Sequence, residues 1–271
     1  VAPARFDAEA AFATVVRLAD GIGPREASSA AYRRAAALVE DEFTALGYSV
    51  SRQRVPVPAG NSWGVPVPAG VTTNVIAVPT GFDRDRPHRV VGAHLDTVPQ
   101  APGAEDNASG IGVLLELARM NAAQPTDVPV MFVAFGGEEP RGPGDALHHF
   151  GSQRMVAELS DDERDAVLAM LSLDRVGVRA DAVPVCHGGR GTQAARTEVV
   201  AAARSIDVPA RACENRASDH WSFEKADIPA VRMGSVPYAG YHSPRDLPRV
   251  VDERQLDRVG RIAWAWMQTA A

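Results

Sequence analysis

Four short apolar runs, at residues 89–93, 128–135, 167–173 and 228–233, set the limits on what this chain can fold into. Each is four to eight residues long and apolar nearly throughout, so each reads as a strand covered on both faces. Helical spacing fills the gaps between them, at 108–120, 192–205 and 219–225. Strands alternating with helices indicate an α/β fold with a largely parallel core sheet. The last stretch, 252–267, carries Leu256, Val259, Ile262, Ala263 and Trp266 at helical spacing, the pattern of a closing helix packed on that sheet. Upstream, residues 6–46 read as helix, with Ser28 and Ser29 as N-caps of an Ala-rich part and Gly47 as its stop. Residues 48–57 alternate like a half-exposed strand, and 56–70, with four prolines and three glycines, reads as a loop.

A length of 271 residues with 45% hydrophobic residues suffices for one large domain, 1–271, whose core needs no disulfide staple. The net charge of -6 argues against nucleic acid as a partner, since phosphate binding needs clustered Lys and Arg. No run of 18 apolar residues is present, so no membrane span is expected. Cys186 and Cys213 lie outside any C-x-x-C pattern; they can pair in an oxidising compartment or stay as buried thiols, and thiols are slightly preferred. The first residue is Val1, with neither a Met nor an apolar leader, which fits a processed secreted protein or a trimmed start. Secretion and a monomeric state are the expectations.

Three of the apolar runs end in a side chain that binds metals. Residues 89–93 deliver His94-Leu95-Asp96, 128–135 deliver Gly136-Gly137-Glu138-Glu139, and 167–173 deliver Asp174. In open α/β sheets the ligand crevice lies outside the carboxyl ends of the strands, so these three groups share a rim. Two loops add Asp106, just ahead of a helix in which Gly110 and Gly112 allow close approach to the sheet, and His242, in a turn-rich segment. Two imidazoles and three carboxylates suit zinc or a similar borderline metal and are too rich in nitrogen for calcium or magnesium. Five ligands exceed what one catalytic zinc uses, but they serve two if a carboxylate bridges them. Glu138 is a spare acid for proton transfer, and Asp96 can accept from the His94 imidazole and fix its tautomer. His88, His148, His149, His187 and His220 read as structural.

These residues resemble metallopeptidase family 28, the dizinc aminopeptidases, which also includes glutamate carboxypeptidase II, the transferrin receptor and glutaminyl cyclases. The resemblance is carried by His94-Leu95-Asp96, Asp106-Asn107-Ala108-Ser109-Gly110, Gly137-Glu138-Glu139, Leu173-Asp174-Arg175-Val176-Gly177, Ser218-Asp219-His220 and Tyr241-His242-Ser243-Pro244-Arg245-Asp246. Gly23-Pro24-Arg25 and Leu46-Gly47-Tyr48 extend it over nearly the whole chain. It implies a three-layer α/β/α fold with a mixed, largely parallel sheet. It implies two zinc ions bridged by Asp106, with His94 and Asp174 completing one site and Glu139 and His242 the other. It further implies Glu138 as general base, Asp96 as support of His94, Tyr241 as a contact to the substrate carbonyl and Arg216 as a further substrate contact. The activity implied is removal of the first residue from peptides with a free N-terminus. Cyclase, carboxypeptidase and non-catalytic scaffold are the alternatives. This sequence departs from the family pattern in two places. An insertion at 140–150 precedes Gly151-Ser152 and reads as a loop near the metals, with or without contact to substrate. Arg175 stands where relatives more often carry an apolar residue.

Overall fold

The computed structural model describes residues 4–270. In chain order its elements are α1 (Ala8–Val16), α2 (Ala30–Ala45), β1 (Ser49–Val57), β2 (Gly60–Ser62), β3 (Val65–Val67), β4 (Gly70–Val78) and β5 (His88–His94). They continue with α3 (Ser109–Ala123), β6 (Val130–Phe135), α4 (Phe150–Glu158), α5 (Asp161–Ala166), β7 (Val167–Leu173) and β8 (Val183–His187). The last are α6 (Ala194–Ser205), β9 (Ala210–Glu214), α7 (His220–Lys225), β10 (Ala230–Met233) and α8 (Glu253–Met267). Eight strands form one sheet in the order β1-β4-β6-β5-β7-β10-β8-β9, and β2 and β3 form a hairpin of their own. The central strands β6, β5, β7 and β10 run parallel. Antiparallel pairings join β1 to β4, β4 to β6 and β8 to β10, so the sheet is mixed.

Two cores explain why the central runs are apolar at every position. In β6, Val130, Phe132 and Ala134 join a core shared with α1, α2, α3, α6 and α8. The alternate residues Met131, Val133 and Phe135 enter a second core with α4 and α7. Three layers result, helices over both sheet faces. In α8, Leu256, Val259, Ile262, Ala263 and Trp266 are all buried, as their spacing predicts. Among the described residues no helix is long and apolar enough to cross a membrane.

The long N-terminal helix is broken, contrary to the reading of residues 6–46. A π-turn, Arg17–Ile22, carries the chain from α1 to Gly23 (φ 80°), and α2 starts afresh with Ser29 Oγ accepting from the Tyr32 amide at 3.0 Å. Gly21, Gly23 and Pro24 supply the reason, and Arg25 lies just past the break. Its side chain is fully buried, and its guanidinium donates to the carbonyls of Leu95, Pro102 and Gly103 at 2.9, 2.6 and 3.0 Å. The break sends this cation beneath the segments that carry His94 and Asp106. Residues 56–70 also differ from expectation. They hold the hairpin β2–β3, turned at Trp63 (φ 49°) and Gly64 (φ 89°), the two positive values that a tight type I′ turn requires.

Cys186 and Cys213 are bonded to each other, which corrects the preference for free thiols. They stand opposite one another on the parallel neighbours β8 and β9, with Cα atoms 4.4 Å apart. That juxtaposition is a matter of strand register, which no spacing along the chain announces.

Candidate metal centre

His94 is the last residue of β5, Glu138 and Glu139 follow β6 in a turn, and Asp174 follows β7 directly. Asp106 comes from the turn Ala104–Ala108 ahead of α3, and its peptide bond to Asn107 is cis. His242 comes from the connection between β10 and α8. The fold gathers these five residues into two groups, His94/Asp106/Asp174 and Asp106/Glu139/His242. Within each group the ligand atoms lie within 4.8 Å of one another. Asp106 belongs to both, with Oδ1 3.1 Å from His94 Nε2 and Oδ2 3.1 Å from His242 Nε2. Asp174 Oδ1 lies 3.8 Å from His94 Nε2, and Glu139 Oε2 lies 3.3 Å from His242 Nε2.

Local hydrogen bonds explain how each loop reaches the centre. The amides of Glu105 and Asp106 donate to the Asp246 carboxylate at 2.8 and 3.1 Å. The Asn107 side chain donates to the Leu173 carbonyl at 2.9 Å and accepts from the Gly110 amide at 3.1 Å. At Gly110 a β-carbon would stand 2.4 Å from the Leu173 carbonyl, so glycine lets α3 meet the end of β7. Gly112, read as a second contact to the sheet, instead meets the Ala11 carbonyl of α1.

Asp96 works differently from the expectation. Its carboxylate accepts from the amides of Gly137, Glu138 and Glu139 at 2.8, 3.0 and 3.1 Å. The His94 Nδ1 instead lies 3.1 Å from the Asp96 backbone carbonyl, with the carboxylate 3.8 Å away. A sharp turn leaves amides unpaired, and these three compete successfully for the carboxylate. Asp96 still orients His94, through its main chain, and its side chain shapes the glutamate turn. Both glutamates are buried and face the centre.

Glu138 has its two oxygens in different surroundings. Oε2 lies 3.9 Å from His94 Nε2, while Oε1 lies 3.2 Å from His149 Nε2. His149, read from the sequence as structural, is therefore a neighbour of the spare acid. The insertion that carries it is folded back on the turn. The His149 amide donates to the Glu138 carbonyl at 2.9 Å, and the Phe150 amide to the Gly137 carbonyl at 2.8 Å. Within the insertion, the buried Arg141 donates to the carbonyls of Pro58 and Pro68 at 2.7 and 2.5 Å and pairs with Glu26. A histidine pair inside an insertion next to the glutamates was the available signal.

Aromatic rings border the His242 side. Trp63, 54% exposed at the hairpin tip, has its ring 4.4 Å from that of His242. Tyr241 stacks on His242 at 3.7 Å, and the Arg175 guanidinium lies 4.3 Å over the Tyr241 ring. Arg216, expected at the substrate, donates to the Gly188 carbonyl at 2.7 Å and packs over Trp221; neither partner belongs to the donor cluster.

The electrostatics of the cluster fit a cation. Burial, with Asp174 and Asp106 adding to it, pushes Glu138 up to about 8, and burial with Asp106 pushes Glu139 up to about 8. Burial works against a charged His94, yet Glu138, Asp106 and Asp174 together hold it well above its ordinary value. Burial also opposes charge on His242, but Glu139 and Asp106 bring it up to about 10. Burial opposes ionising Asp106 and Asp174 too, but His242 and His94 hold Asp106, and Arg232 with His94 holds Asp174, below the usual carboxylate range. Two ionised aspartates and two reluctant glutamates thus face imidazoles that lean towards protonation. Among the described residues, His94 Nε2, Asp174 Oδ1 and Glu139 Oε1 are buried without a well-directed hydrogen bond, although Asp174 Oδ1 has the Arg232 guanidinium 3.1 Å away. A divalent cation relieves such converging lone pairs, and this donor set suits zinc.

The sequence profile of Peptidase family M28 matches residues 74–267. The chain belongs to that family. It is 29% identical over 185 residues to Aminopeptidase YwaD of Bacillus subtilis (strain 168), a match covering 65% of this chain and 39% of that protein. The chain thus spans well under half the length of this curated relative. Its fold is similar to that of BSAP, a zinc aminopeptidase from Bacillus subtilis, with a TM-score of 0.85 at 20% identity over 97% of this chain and 94% of the other. A glutaminyl cyclase from Porphyromonas gingivalis is similar with a TM-score of 0.80 at 23% identity, over 97% of this chain and 98% of the other. The M28 segment contains all five donors, whereas the Trp63 hairpin lies ahead of it.

Proposed function

We propose that this chain is a zinc-dependent aminopeptidase that hydrolyses the first peptide bond of peptides with a free N-terminus. The observation that carries the reading is Asp106, whose two oxygens each face a different histidine within two complete donor groups. His94 and Asp174 would hold one zinc, Glu139 and His242 a second, with Asp106 shared between them. Zinc bound there supplies Lewis acidity to a water and to the substrate carbonyl.

The chain's own residues do the rest. Glu138 Oε1 is engaged by His149, which leaves Oε2 on the side of the donors. Oε2 is then the atom that takes the water proton and returns it to the leaving amine. Asp96 keeps the carboxylate of Glu138 in place through three turn amides. Tyr241 and Trp63, both partly exposed beside His242, border the path of the substrate. The Cys186–Cys213 bond supports a secreted setting, since such bonds persist in oxidising compartments.

Release of the first residue from a panel of amino-acid anilides, with and without a chelator, tests the reading. The expected result is turnover that disappears on chelation and returns with zinc. No chelator-sensitive turnover on a broad panel would overturn it. Cyclisation of N-terminal glutamine, with one tightly held zinc per chain, would favour the cyclase alternative instead.

A further inference from the structure

Arg175 has no task in the scheme above. It follows the donor Asp174 and occupies a left-handed backbone conformation (φ 54°). Two main-chain hydrogen bonds fix it there: its amide donates to Asn107 Oδ1 at 3.1 Å, and its carbonyl accepts from the Ser235 amide at 3.1 Å. The side chain runs along the rim with its guanidinium over Tyr241 and its Nε 3.9 Å from Asp174 Oδ1.

Other arginines of the interior make several hydrogen bonds each. Arg25 donates to the carbonyls of Leu95, Leu18, Gly23, Pro102 and Gly103. Arg232 donates to Asn215, Ala217 and Asp174. The Arg175 guanidinium has one hydrogen bond among the described residues, to Ser235 Oγ at 2.5 Å, and its side chain remains 13% exposed. Nor is it needed to balance Asp174, because the wholly buried Arg232 already pairs with that carboxylate at 3.1 Å. With cations among the donors, Arg175 becomes surplus positive charge at the mouth of the centre. A planar fork with free N–H groups, steadied on an aromatic ring, matches the geometry of a carboxylate.

We propose that Arg175 recognises a carboxylate on the substrate, so that this chain prefers peptides bearing a negative group next to the scissile bond. An acidic first side chain and the terminal carboxylate of a dipeptide both supply that chemistry. The proposal rests on the hydrolase reading of the same centre.

The test compares matched substrates on the zinc-loaded full chain: glutamyl anilide against glutaminyl anilide, and leucyl-glycine against leucyl-glycinamide. At least one charged member is expected to lead its neutral partner by about tenfold or more in kcat/KM, chiefly through KM. The first pair isolates the side chain as the source, the second the chain end. Arg175→Gln should collapse the ratio, and Arg175→Lys, which keeps charge without the fork, should restore part of it. Calorimetric binding of the same pairs to zinc-loaded Glu138→Gln protein, with and without Arg175→Gln, gives a readout independent of turnover. Ratios near one in the wild-type chain, or a preference that survives Arg175→Gln, overturn the proposal. Binding that follows charge and Arg175 without cleavage of any peptide would sink the hydrolase reading and leave the carboxylate assignment standing.

Discussion

His94 and Asp174 enter the donor cluster from strand ends; Glu139 and His242 enter it from turns. The first pair is 1% and 2% exposed, and its positions follow from the ladder that joins β5, β7 and β10. Arg232 pins Asp174, and the Asp96 carbonyl lies against the His94 ring. The second pair is 6% and 9% exposed. Glu139 hangs on a turn organised by Asp96, and His242 sits at φ 51° against the rings of Tyr241 and Trp63, which also touch each other. Similar donors are thus mounted on supports of different stiffness. On the proposed reading, the sheet half would fix where a cation rests, and the loop half would complete the site and meet the substrate.

Removing one imidazole from each half is the strongest way to break this comparison. His94→Ala should empty the centre of tightly held zinc and abolish activity, while His242→Ala should retain about one zinc per chain by the coordination logic of shared ligands. Elemental analysis of gel-filtered protein reads the difference, and equal losses would mean that the halves act as one unit. Next in size is Glu138→Gln, which should lower kcat by about 10²–10⁴-fold while leaving the zinc content as it was. Full activity in that variant would remove the proton carrier from this residue.

His149→Ala tests whether the loop half extends to the insertion. A kcat reduced by about 10–100-fold, with KM and zinc content nearly preserved, is expected for a residue that positions another. His149→Gln, which keeps a donor at similar reach, should recover part of the loss; no recovery together with lost zinc would mark His149 as a packing residue only. The smallest effect on the centre should come from the sheet edge. Replacing Cys186 and Cys213 together by Ala should cost about 2–4 kcal/mol in urea unfolding, with zinc content unchanged. Zinc loss in that variant would tie β8 and β9 to the site and blur the division drawn above.

The strand-mounted donors were legible because a strand buried on both faces writes itself as an apolar run, and the sequence shows what stands at its end. Asp106 and His242 were legible as loop candidates, one ahead of a glycine-bearing helix and one in a turn-rich segment, and the resemblance added how they would share the metals. The Asp96 carboxylate was misassigned because its partners are three amides of a turn that forms only when β6 ends beside β5. His149 was missed because its contact depends on how an insertion of eleven residues, 140–150, returns to its own starting point. The disulfide escaped because β8 and β9 are short, and β9 is partly exposed, so neither declares itself nor its register. The break between α1 and α2 was legible after all in Gly21, Gly23 and Pro24, which end a helix by themselves, and the reading of 6–46 as helix passed over them.

The strap made by Arg141 has a consequence for variation. It holds the insertion to the hairpin that presents Trp63, and the two backbones touch so closely that a β-carbon at Gly60 would stand 1.9 Å from the Arg141 carbonyl. Two stretches far apart in the chain therefore behave as a linked block. A loop graft that exchanges 140–150 alone leaves the hairpin without its brace, whereas a graft that moves 58–68 with it carries the whole wall across. A chimera library that moves both segments together should therefore keep more folded members than one that exchanges either alone.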